Sequence, residues 1–460
     1  MELRRKFYDF LIDWKASKHQ ECLLVNGARQ IGKTYIIEKF GRENYESFIE
    51  INFAIEPKCA AIFEGNLDVR SICERLTAIK DNVEIIPGKT LLFLDEIQDC
   101  PNARTAFKPL AIDGRFDVVA SGSLLGIKYK KDKLKRTPRS IPVGYERQVT
   151  MFSLSFEEFL WSRGFSEDSF ALIRRAFERR EEVPEAVNER FHRMLREYAV
   201  VGGMPAAIVQ YAKKRDVLSV SSIYTSLLQT YKDDVEKYSS STALIKVIRT
   251  ILEVGWTQAA EAIVFEGFAN TNYRSREISE AFQAPSKAML MELVYPTGEV
   301  QSPVLPNQRR KPKLLWLDTG LVNFAVGLQQ DVFSTPDIND VWRGRIAEHI
   351  VGQELIALND NILAKRSYWR NDKHGSDAEV DFLYPFQGLQ IPIEVKSGHN
   401  ARLRSLHQFM DATNHGLAIR FWSKPYSVDD VTTPNGKHFR LVNVPFYYAG
   451  QVELILGKEV

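Results

Sequence analysis

The chain has 460 residues, which is too long for one hydrophobic core of ordinary size and indicates about three domains. Its composition, 44% hydrophobic and 26% charged, is typical of a soluble globular protein. The formal charge of +2 excludes an overall electric field that would demand nucleic acid as a partner, so any basic patch has to be argued locally.

The cysteines and the first residues bear on the compartment. Cys22, Cys59, Cys73 and Cys100 show neither CxxC nor zinc-knuckle spacing, which argues against a cysteine-bound metal and suits a reducing compartment. The opening "MELRRKFYDFLIDWK" carries charges throughout, and no run of 18 apolar residues occurs in the chain. We therefore expect a cytoplasmic protein without a membrane partner.

The stretch "CLLVNGARQIGKTYIIEKF", residues 22–40, predicts a nucleotide site. An apolar strand leads into the pattern GxxxxGK[ST], and an amphipathic helix follows, which is the context that a phosphate-binding P-loop needs. Backbone N–H groups of such a loop surround the β-phosphate at a helix N-terminus. We expect the loop residues to bind ATP: Gly27, Ala28, Arg29, Gln30, Ile31, Gly32, Lys33 and Thr34. Lys33 would reach the β- and γ-phosphates, and the Thr34 hydroxyl would bind Mg²⁺.

A second signal follows in "KTLLFLDEIQD", residues 89–99. Four apolar residues lead straight to Asp95 and Glu96, as expected for a buried parallel strand that delivers carboxylates at its C-terminal edge. Asp95 would hold Mg²⁺ through water, and Glu96 would polarise the attacking water. In "RFDVVASGSLLG", residues 115–126, Ser121 is a candidate for sensing the γ-phosphate, although small residues after a strand also simply make turns.

These motifs resemble those of AAA+-type ATPases. The segments "MFSLSFEEFLW", residues 151–161, and "YAVVGGMPAAI", residues 198–208, are similar to connectors of a prokaryotic family that joins such an ATPase to a C-terminal domain of unknown function. The resemblance implies an arginine that completes the chain's own site or a neighbour's, and it leaves self-association through the ATPase domain open. Arg139 and Arg147 are both candidates for that arginine. The basic segment 128–139 is either a solvated loop or a phosphate-backbone contact.

The middle of the chain predicts helices followed by a winged-helix module. Residues 163–240 have helical spacing and are interpreted as a lid behind the nucleotide site. Residues 275–294 then predict helix, short turn and helix, and residues 295–318 a β-hairpin wing. The second helix, "SKAMLMELV", offers only Ser286 and Lys287 to base edges, so specific DNA reading is not expected. The wing's basic residues either touch phosphates or serve packing; they are Arg309, Arg310, Lys311 and Lys313.

Near the C-terminus, "DAEVDFLYPFQGLQIPIEVKSG", residues 377–398, predicts two alternating strands. A hairpin turning about Gln387 and Gly388 places Asp381 opposite Glu394 and Glu379 opposite Lys396. Like charges facing each other across a ladder are destabilising, and a bound cation reverses that cost. We therefore expect Asp381 and Glu394 to bind Mg²⁺, the alternative being a solvated sheet face.

A third carboxylate comes from a predicted helix at 342–358, where Glu348 lies among apolar positions. The order helix Glu, strand Asp, strand Glu-x-Lys resembles the PD-(D/E)xK nuclease superfamily. The resemblance implies that Glu348, Asp381, Glu394 and Lys396 form its catalytic set. The histidines near these residues have no metal-ligand spacing and are expected to have core or surface roles.

The sequence therefore predicts an α/β chain of four parts: a P-loop AAA+ parallel-sheet domain (1–162), a helical lid (163–240), a winged-helix-like module (241–338) and a restriction-endonuclease-like α/β domain (339–460). One hypothesis is a Mg²⁺-dependent ATPase, with Glu96 catalytic, that drives a nuclease-like domain acting on DNA through non-specific phosphate contacts. The alternative is a nucleotide-controlled binding or regulatory protein whose nuclease-like domain does not cut.

Overall fold

The structure, a computed structural model, describes residues 1–17, 21–123, 142–239, 241–335, 338, 344–358, 365–371, 377–396 and 403–459. We name four stretches by the predicted boundaries: the ATPase segment (1–162), the helical segment (163–240), the middle segment (241–338) and the C-terminal segment (339–460). The candidate Arg139 and the whole basic stretch 128–139 lie outside the described residues.

The ATPase segment is built on a sheet of five parallel strands in the order β2-β3-β4-β1-β5. The strands are β1 (Cys22–Asn26), β2 (Ser47–Asn52), β3 (Thr90–Asp95), β4 (Phe116–Gly122) and β5 (Glu146–Thr150). The two apolar strands predicted to precede the nucleotide motifs, β1 and β3, are buried along their whole length. Since all five strands run the same way, the residues that follow them meet at one edge of the sheet.

Helices cover both faces of this sheet. They are α1 (Lys6–Ala16), α2 (Lys33–Asn44), α3 (Val69–Ile79), α4 (Pro101–Thr105), α5 (Phe107–Asp113) and α6 (Phe156–Ser162). The start of α6 is fixed by a capping box, in which the Ser155 hydroxyl accepts from the Glu158 N–H and the Glu158 carboxylate accepts from the Ser155 N–H. That box holds the "SFEEF" connector in place beside the sheet.

The helical segment is helical as predicted. Its helices are α7 (Glu167–Arg179), α8 (Glu185–Val201), α9 (Pro205–Lys214), α10 (Ser221–Asp233) and α11 (Val235–Tyr238). Gly202 has φ 69° and ends α8, and Pro205 opens α9 at a first-turn position where its missing N–H costs nothing.

The middle segment differs from the predicted winged helix. It contains α12 (Thr242–Val254), α13 (Ser275–Lys287), β6 (Met291–Val294), β7 (Pro296–Thr297), β8 (Lys313–Trp316), α14 (Thr319–Val326) and α15 (Gln329–Ser334). The expected second helix is absent, because α13 continues through Pro285 and the residues after it form strand β6. Strand β6 pairs antiparallel with the buried strand β8, a long-range pairing that outweighs local helical preference. The predicted second helix of the winged-helix module is therefore wrong.

The C-terminal segment carries most of a seven-stranded mixed sheet, in the order β13-β14-β12-β11-β10-β9-β7. Its elements are α16 (Arg345–Ala357), β9 (Ser367–Arg370), β10 (Glu379–Phe386), β11 (Leu389–Val395), α17 (Arg404–Ala412), β12 (Leu417–Trp422), β13 (Ser427–Thr432), β14 (His438–Pro445) and α18 (Val452–Glu459). Strands β10 and β11 form the predicted hairpin, turning at Gln387 (φ 47°) and Gly388 (φ 81°). The pairing of Phe382 with Ile393 confirms the predicted register.

One hydrophobic core runs through all four segments. It includes Leu3 of the ATPase segment, Tyr198 of the helical segment, Trp316 of the middle segment and Ile393 of the C-terminal segment. A second cluster fills the other face of the parallel sheet, and a third lies against the C-terminal sheet. Among the described residues no helix combines the length and the apolar character needed to cross a bilayer.

Candidate functional site

The P-loop between β1 and α2 depends on glycine at its two ends. Gly32 has φ 91°, which glycine adopts without strain, and it precedes the first residue of α2. A Cβ on Gly27 would lie 2.6 Å from the Met151 carbonyl oxygen, so no other residue fits there. The glycines that the motif predicted are therefore required by close approach and by backbone conformation.

Lys33 is folded back into this loop. Its buried ammonium donates to the carbonyl oxygens of Gly27 (2.9 Å) and Ala28 (2.7 Å). Burial lowers the pKa of Lys33 to about 8, against the opposing effect of the Glu96 and Asp95 carboxylates. The ammonium thus lies in the centre of the loop with carbonyl oxygens as acceptors.

The P-loop touches the β3 carboxylate directly. The Thr34 hydroxyl donates to Asp95 Oδ2 at 2.9 Å, and the Asn52 amide donates to the same oxygen at 3.0 Å. The Ser121 hydroxyl donates to Asp95 Oδ1, which also accepts from the Glu96 N–H at 3.0 Å. The structure thus brings together the predicted residues Thr34, Asp95 and Ser121. Asn52 was missed, and its signal was a polar residue ending the strand "SFIEIN".

Glu96 directly follows Asp95 at the sheet edge. Its backbone is left-handed (φ 50°, ψ 46°), a conformation that costs energy in a residue with a Cβ and that is often kept at functional sites. The Gln98 amide donates to its carboxylate. The left-handed turn and this hydrogen bond fix the carboxylate next to Asp95.

Two arginines of the ATPase segment, Arg29 and Arg5, anchor the P-loop. Arg29 within the loop pairs with Asp234 of the helical segment at 2.9 Å, and its Nε donates to Ser123 at 3.3 Å. Arg5 is buried, pairs with Glu158 at 3.0 Å and donates to the Ile31 carbonyl at 2.9 Å. Arg5 lies far from the motif in sequence, and no pattern around it predicted this role.

The structure also places the other predicted residues of the loop and the arginine candidate Arg147. Gln30 has φ 62°, and Ile31 is buried beneath the loop. Arg147 lies near the start of β5, three residues before Thr150 at the carboxyl edge, and its guanidinium packs on the Phe10 ring at 5.1 Å. Arg147 therefore does not face the P-loop of its own chain.

An apolar cavity of about 260 Å³ opens beside the Gly32 end of the loop. Its walls include Leu3 of the N-terminus, Tyr35 of α2 and Pro205 of α9. Tyr35 is exposed and Leu3 is buried. Such a lining suits a flat apolar ring better than a phosphate.

A second cluster of charged groups is formed by residues of the middle and C-terminal segments. Its centre is Lys313 of β8, whose ammonium lies 2.6 Å from Glu348, 2.7 Å from Glu379 and 3.5 Å from Asp381. Lys313 is 3% exposed. Burial opposes its charge, but the three carboxylates hold the pKa of Lys313 well above its usual range. Of the two roles left open for Lys313, phosphate contact or packing, the structure supports packing, because its side chain is buried and pairs with acids.

Glu394 and Lys396 complete this cluster. Glu394 is fully buried and pairs with Lys396, while Asp381 accepts from the Val395 N–H at 2.8 Å. Burial raises the pKa of Glu394 to about 7 and that of Glu348 to about 8. The structure thus places all four predicted catalytic residues in one cluster, with a lysine that the motif did not predict at its centre.

The cluster fits Mg²⁺ poorly as it stands. Within the described ranges, no group of three or more His, Cys, Asp and Glu side chains is placed to hold a metal ion. Lys313 pairs with Asp381, one of the two carboxylates at which a cation was expected, and Lys396 pairs with the other, Glu394. His349, next to Glu348, is a core residue that accepts from the Trp316 N–H at 3.0 Å, as expected for a structural histidine.

Comparison with known families agrees with the geometry of the first site. A family profile described as "AAA domain" matches residues 19–160. Two profiles described as domains of unknown function, DUF8612 and DUF4143, match residues 192–332 and 343–443. No curated protein matches the chain. The N-terminal part of the chain is thus an AAA-type P-loop ATPase domain, as the motifs predicted.

The chain is also distantly similar to several solved structures. A Walker-type ATPase of Pyrococcus abyssi is 13% identical with a TM-score of 0.37, over 71% of this chain and 96% of that one. Thermotoga maritima RuvB, a Holliday junction branch migration motor, is 14% identical with a TM-score of 0.28, over 67% and 93%. The C. elegans protein PCH-2 is 10% identical with a TM-score of 0.27, over 49% and 70%. At these scores the similarities carry no further argument.

Proposed function

We propose that this AAA-type P-loop ATPase binds ATP with Mg²⁺, hydrolyses it, and uses the nucleotide state to control a nuclease-like C-terminal domain that holds a partner without cutting it. The observation that carries the nucleotide part is the 2.9 Å contact between the Thr34 hydroxyl and the Asp95 carboxylate. This contact joins the P-loop to the acidic edge of β3, where the two halves of a phosphate site have to meet.

Mg²⁺ fits the residues of this site. Thr34 and Asp95 supply hard oxygen donors side by side, and Asn52 and Ser121 orient the carboxylate by hydrogen bonds. Bound between them, the ion would neutralise phosphate charge. The pattern of donors therefore supports Thr34 and Asp95 as its holders.

The other side chains have roles that follow from their positions. On binding, Lys33 would exchange its two carbonyl acceptors for phosphate oxygens. The positive charge that the phosphates need is therefore already in the loop before the nucleotide arrives. Glu96 would orient the attacking water and accept its proton. The apolar cavity between Tyr35 and Pro205 would take the base.

Two variants test the nucleotide site. Lys33→Ala should lose nucleotide affinity, because the loop loses its central cation, and Lys58→Ala at an exposed position is the matched control. Glu96→Gln should bind ATP normally and slow turnover by about 100-fold or more, since the proton acceptor is lost. Nucleotide titration and phosphate release measure the two effects. Undiminished turnover in Glu96→Gln would contradict the assignment.

Lys313 supports the non-catalytic role of the C-terminal domain. A buried ammonium within 3.5 Å of three carboxylates already neutralises part of the charge that a metal would neutralise. Removing that ammonium from its partners to admit a metal would cost several kcal/mol. The domain would therefore keep a nuclease-like arrangement as a stable frame for binding a protein or nucleic acid.

A Mg²⁺-dependent nuclease is the second candidate, and two observations favour it. Glu394 Oε2 is buried and has no hydrogen-bond partner among the described residues. In addition, four carboxylates face only two lysines in this cluster, so full ionisation leaves an uncompensated negative charge. The raised pKa values of Glu348 and Glu394 show how protons can supply the missing positive charge instead.

One assay separates the two candidates. The full-length protein is incubated with single- and double-stranded DNA and RNA, with Mg²⁺ or Mn²⁺, with and without ATP. We expect no cutting, and we expect metal added without nucleotide to leave the melting temperature of wild type unchanged and likewise that of Asp381→Ala. Metal-dependent cutting that disappears in Asp381→Ala would instead establish the nuclease.

A further inference from the structure

A second cavity, of about 270 Å³, borders the other end of the P-loop and is shared by three segments of the chain. The ATPase segment contributes Gly27 and Ser123, and the middle segment contributes Lys287. The C-terminal segment contributes Lys365 and Arg366. Cations from two other segments thus face the same space as the first residue of the phosphate-binding loop.

This cavity lies next to the predicted phosphate site, because it is lined by Gly27, whose carbonyl accepts from Lys33. Ser123 comes two residues after Ser121, whose hydroxyl donates to Asp95, and it accepts from Arg29 Nε at 3.3 Å. The apolar cavity beside Tyr35 lies at the Gly32 end instead. An apolar space at one end of the loop and a space with cations at the other match the two ends of a nucleoside triphosphate.

Two of the cations are available for a ligand. Arg366 is engaged, because it pairs with Glu292 at 2.8 Å and donates to the Gly352 carbonyl at 2.8 Å. Lys287 and Lys365 are exposed, and neither has an acidic partner within ion-pair distance in the part of the chain that the structure describes. Within the loop, Arg29 is already paired with Asp234. Among the loop residues 27–34, Lys33 is thus the cation without an acidic partner.

We propose that Lys287 and Lys365 contact the terminal phosphate of bound ATP, so that the middle and C-terminal segments distinguish ATP from ADP within one chain. This inference rests on the proposed binding of ATP at the P-loop. Coulomb attraction falls with distance and with screening by water. Two cations that contact the terminal phosphate therefore raise the affinity for ATP, whereas ADP, which lacks this phosphate, gains little from them. Because the contacts form with ATP and not with ADP, they make the C-terminal segment sensitive to the bound nucleotide.

The test compares two affinities in the full-length protein. Lys287→Met, Lys365→Met and the double variant are titrated, with Mg²⁺, against ADP and against a non-hydrolysable ATP analogue. Lys246→Met, at an exposed position on α12, is the matched control. We expect the double variant to lose about tenfold in affinity for the analogue, each single variant less, and none to change for ADP.

The outcomes separate this inference from the proposed function. If the ratio of the two affinities is unchanged in the double variant, the inference is overturned. The proposed ATP site still stands in that case, provided that the wild type binds both nucleotides. Equal weakening for both nucleotides also overturns it, because a structural role would act on both. A wild type that binds neither nucleotide removes the proposed function and the inference together. Melting temperatures of all variants show that each is folded.

Discussion

At the scale of single residues, Lys313 decides how the acidic cluster is interpreted. Two of its three carboxylate partners, Glu348 and Asp381, were predicted from sequence as part of a metal site or catalytic set, and the lysine makes them part of a buried ion network. A buried charge network of this kind adds little net stability compared with apolar packing, but losing one partner is costly. The cluster therefore depends on Lys313 more than on any one carboxylate.

Lys313→Met tests this dependence. Methionine keeps most of the apolar volume but removes the charge, so Glu348, Glu379 and Asp381 are left facing one another, and we expect a loss of about 3 kcal/mol or more in the free energy of unfolding. Urea unfolding measures it. Lys311→Met, at an exposed position two residues away, should change stability by less than about 0.5 kcal/mol.

Adding Mg²⁺ tests whether the loss of stability in Lys313→Met comes from the loss of the positive charge. In Lys313→Met, added Mg²⁺ should restore part of the lost stability, because a cation can then take the vacated place among the carboxylates. Wild type should show no such gain. A variant as stable as wild type without metal would show that the ion network is not needed.

The residues that could be predicted from the sequence have partners set by local strand or turn geometry, whereas the residues that were missed have partners far away in the chain. Asp95 and Glu96 were predictable because a buried strand delivers them at a known edge, and Asp381 was placed opposite Glu394 by counting from the turn at Gly388. Lys313 lies 35 residues before Glu348, and Arg5 lies 153 residues before Glu158. Pairs brought together only by tertiary packing leave no periodic signal in a single sequence.

At the scale of elements, the two connectors that carried the family resemblance turn out to touch each other. The Leu154 N–H donates to the Gly203 carbonyl at 2.8 Å, and the Gly203 N–H donates to Asp318 at 2.6 Å. The two connectors thus form one junction between the ATPase segment and the helical segment. By contrast, the predicted helix after α13 failed because β6 pairs with a strand about twenty residues later, beyond any local window.

Gly203→Ala should disturb this junction. A Cβ at Gly203 would lie 2.2 Å from the Leu154 carbonyl oxygen, a backbone atom that cannot turn away, so we expect a loss of about 1–3 kcal/mol in stability. Gly457→Ala in α18 is the matched control, since no atom lies within 4 Å of its Cβ position. There alanine should be neutral or slightly stabilising. Thermal unfolding of both variants measures the difference, and equal melting temperatures would contradict it.

At the scale of the whole molecule, helix α16 joins the two sites. Its Glu354 accepts from the Phe156 N–H at 2.9 Å and from the Tyr198 hydroxyl at 3.2 Å, while Glu348 one and a half turns earlier pairs with Lys313. The Phe156 connector leads back to the P-loop through Glu158 and Arg5. Burial raises the pKa of Glu354 to about 7. A shift of the P-loop thus has a contiguous route of buried polar contacts to the C-terminal segment.

Hydrogen exchange with and without nucleotide tests that route. Because one hydrophobic core spans all four segments, a non-hydrolysable ATP analogue should slow exchange in α2 and also in α16, and Lys33→Ala should abolish both effects. Glu354→Leu removes the acceptor of the Phe156 N–H, so it should keep the protection of α2 but lose that of α16, a coupling of about 0.5–2 kcal/mol. Since coupling is reciprocal, the same variant should bind the analogue more weakly by a matching factor. Full protection of α16 in Glu354→Leu would show that the effect of the nucleotide is transmitted by a route without Glu354. Protection confined to α2 in wild type would show that nucleotide binding has no effect on the C-terminal segment.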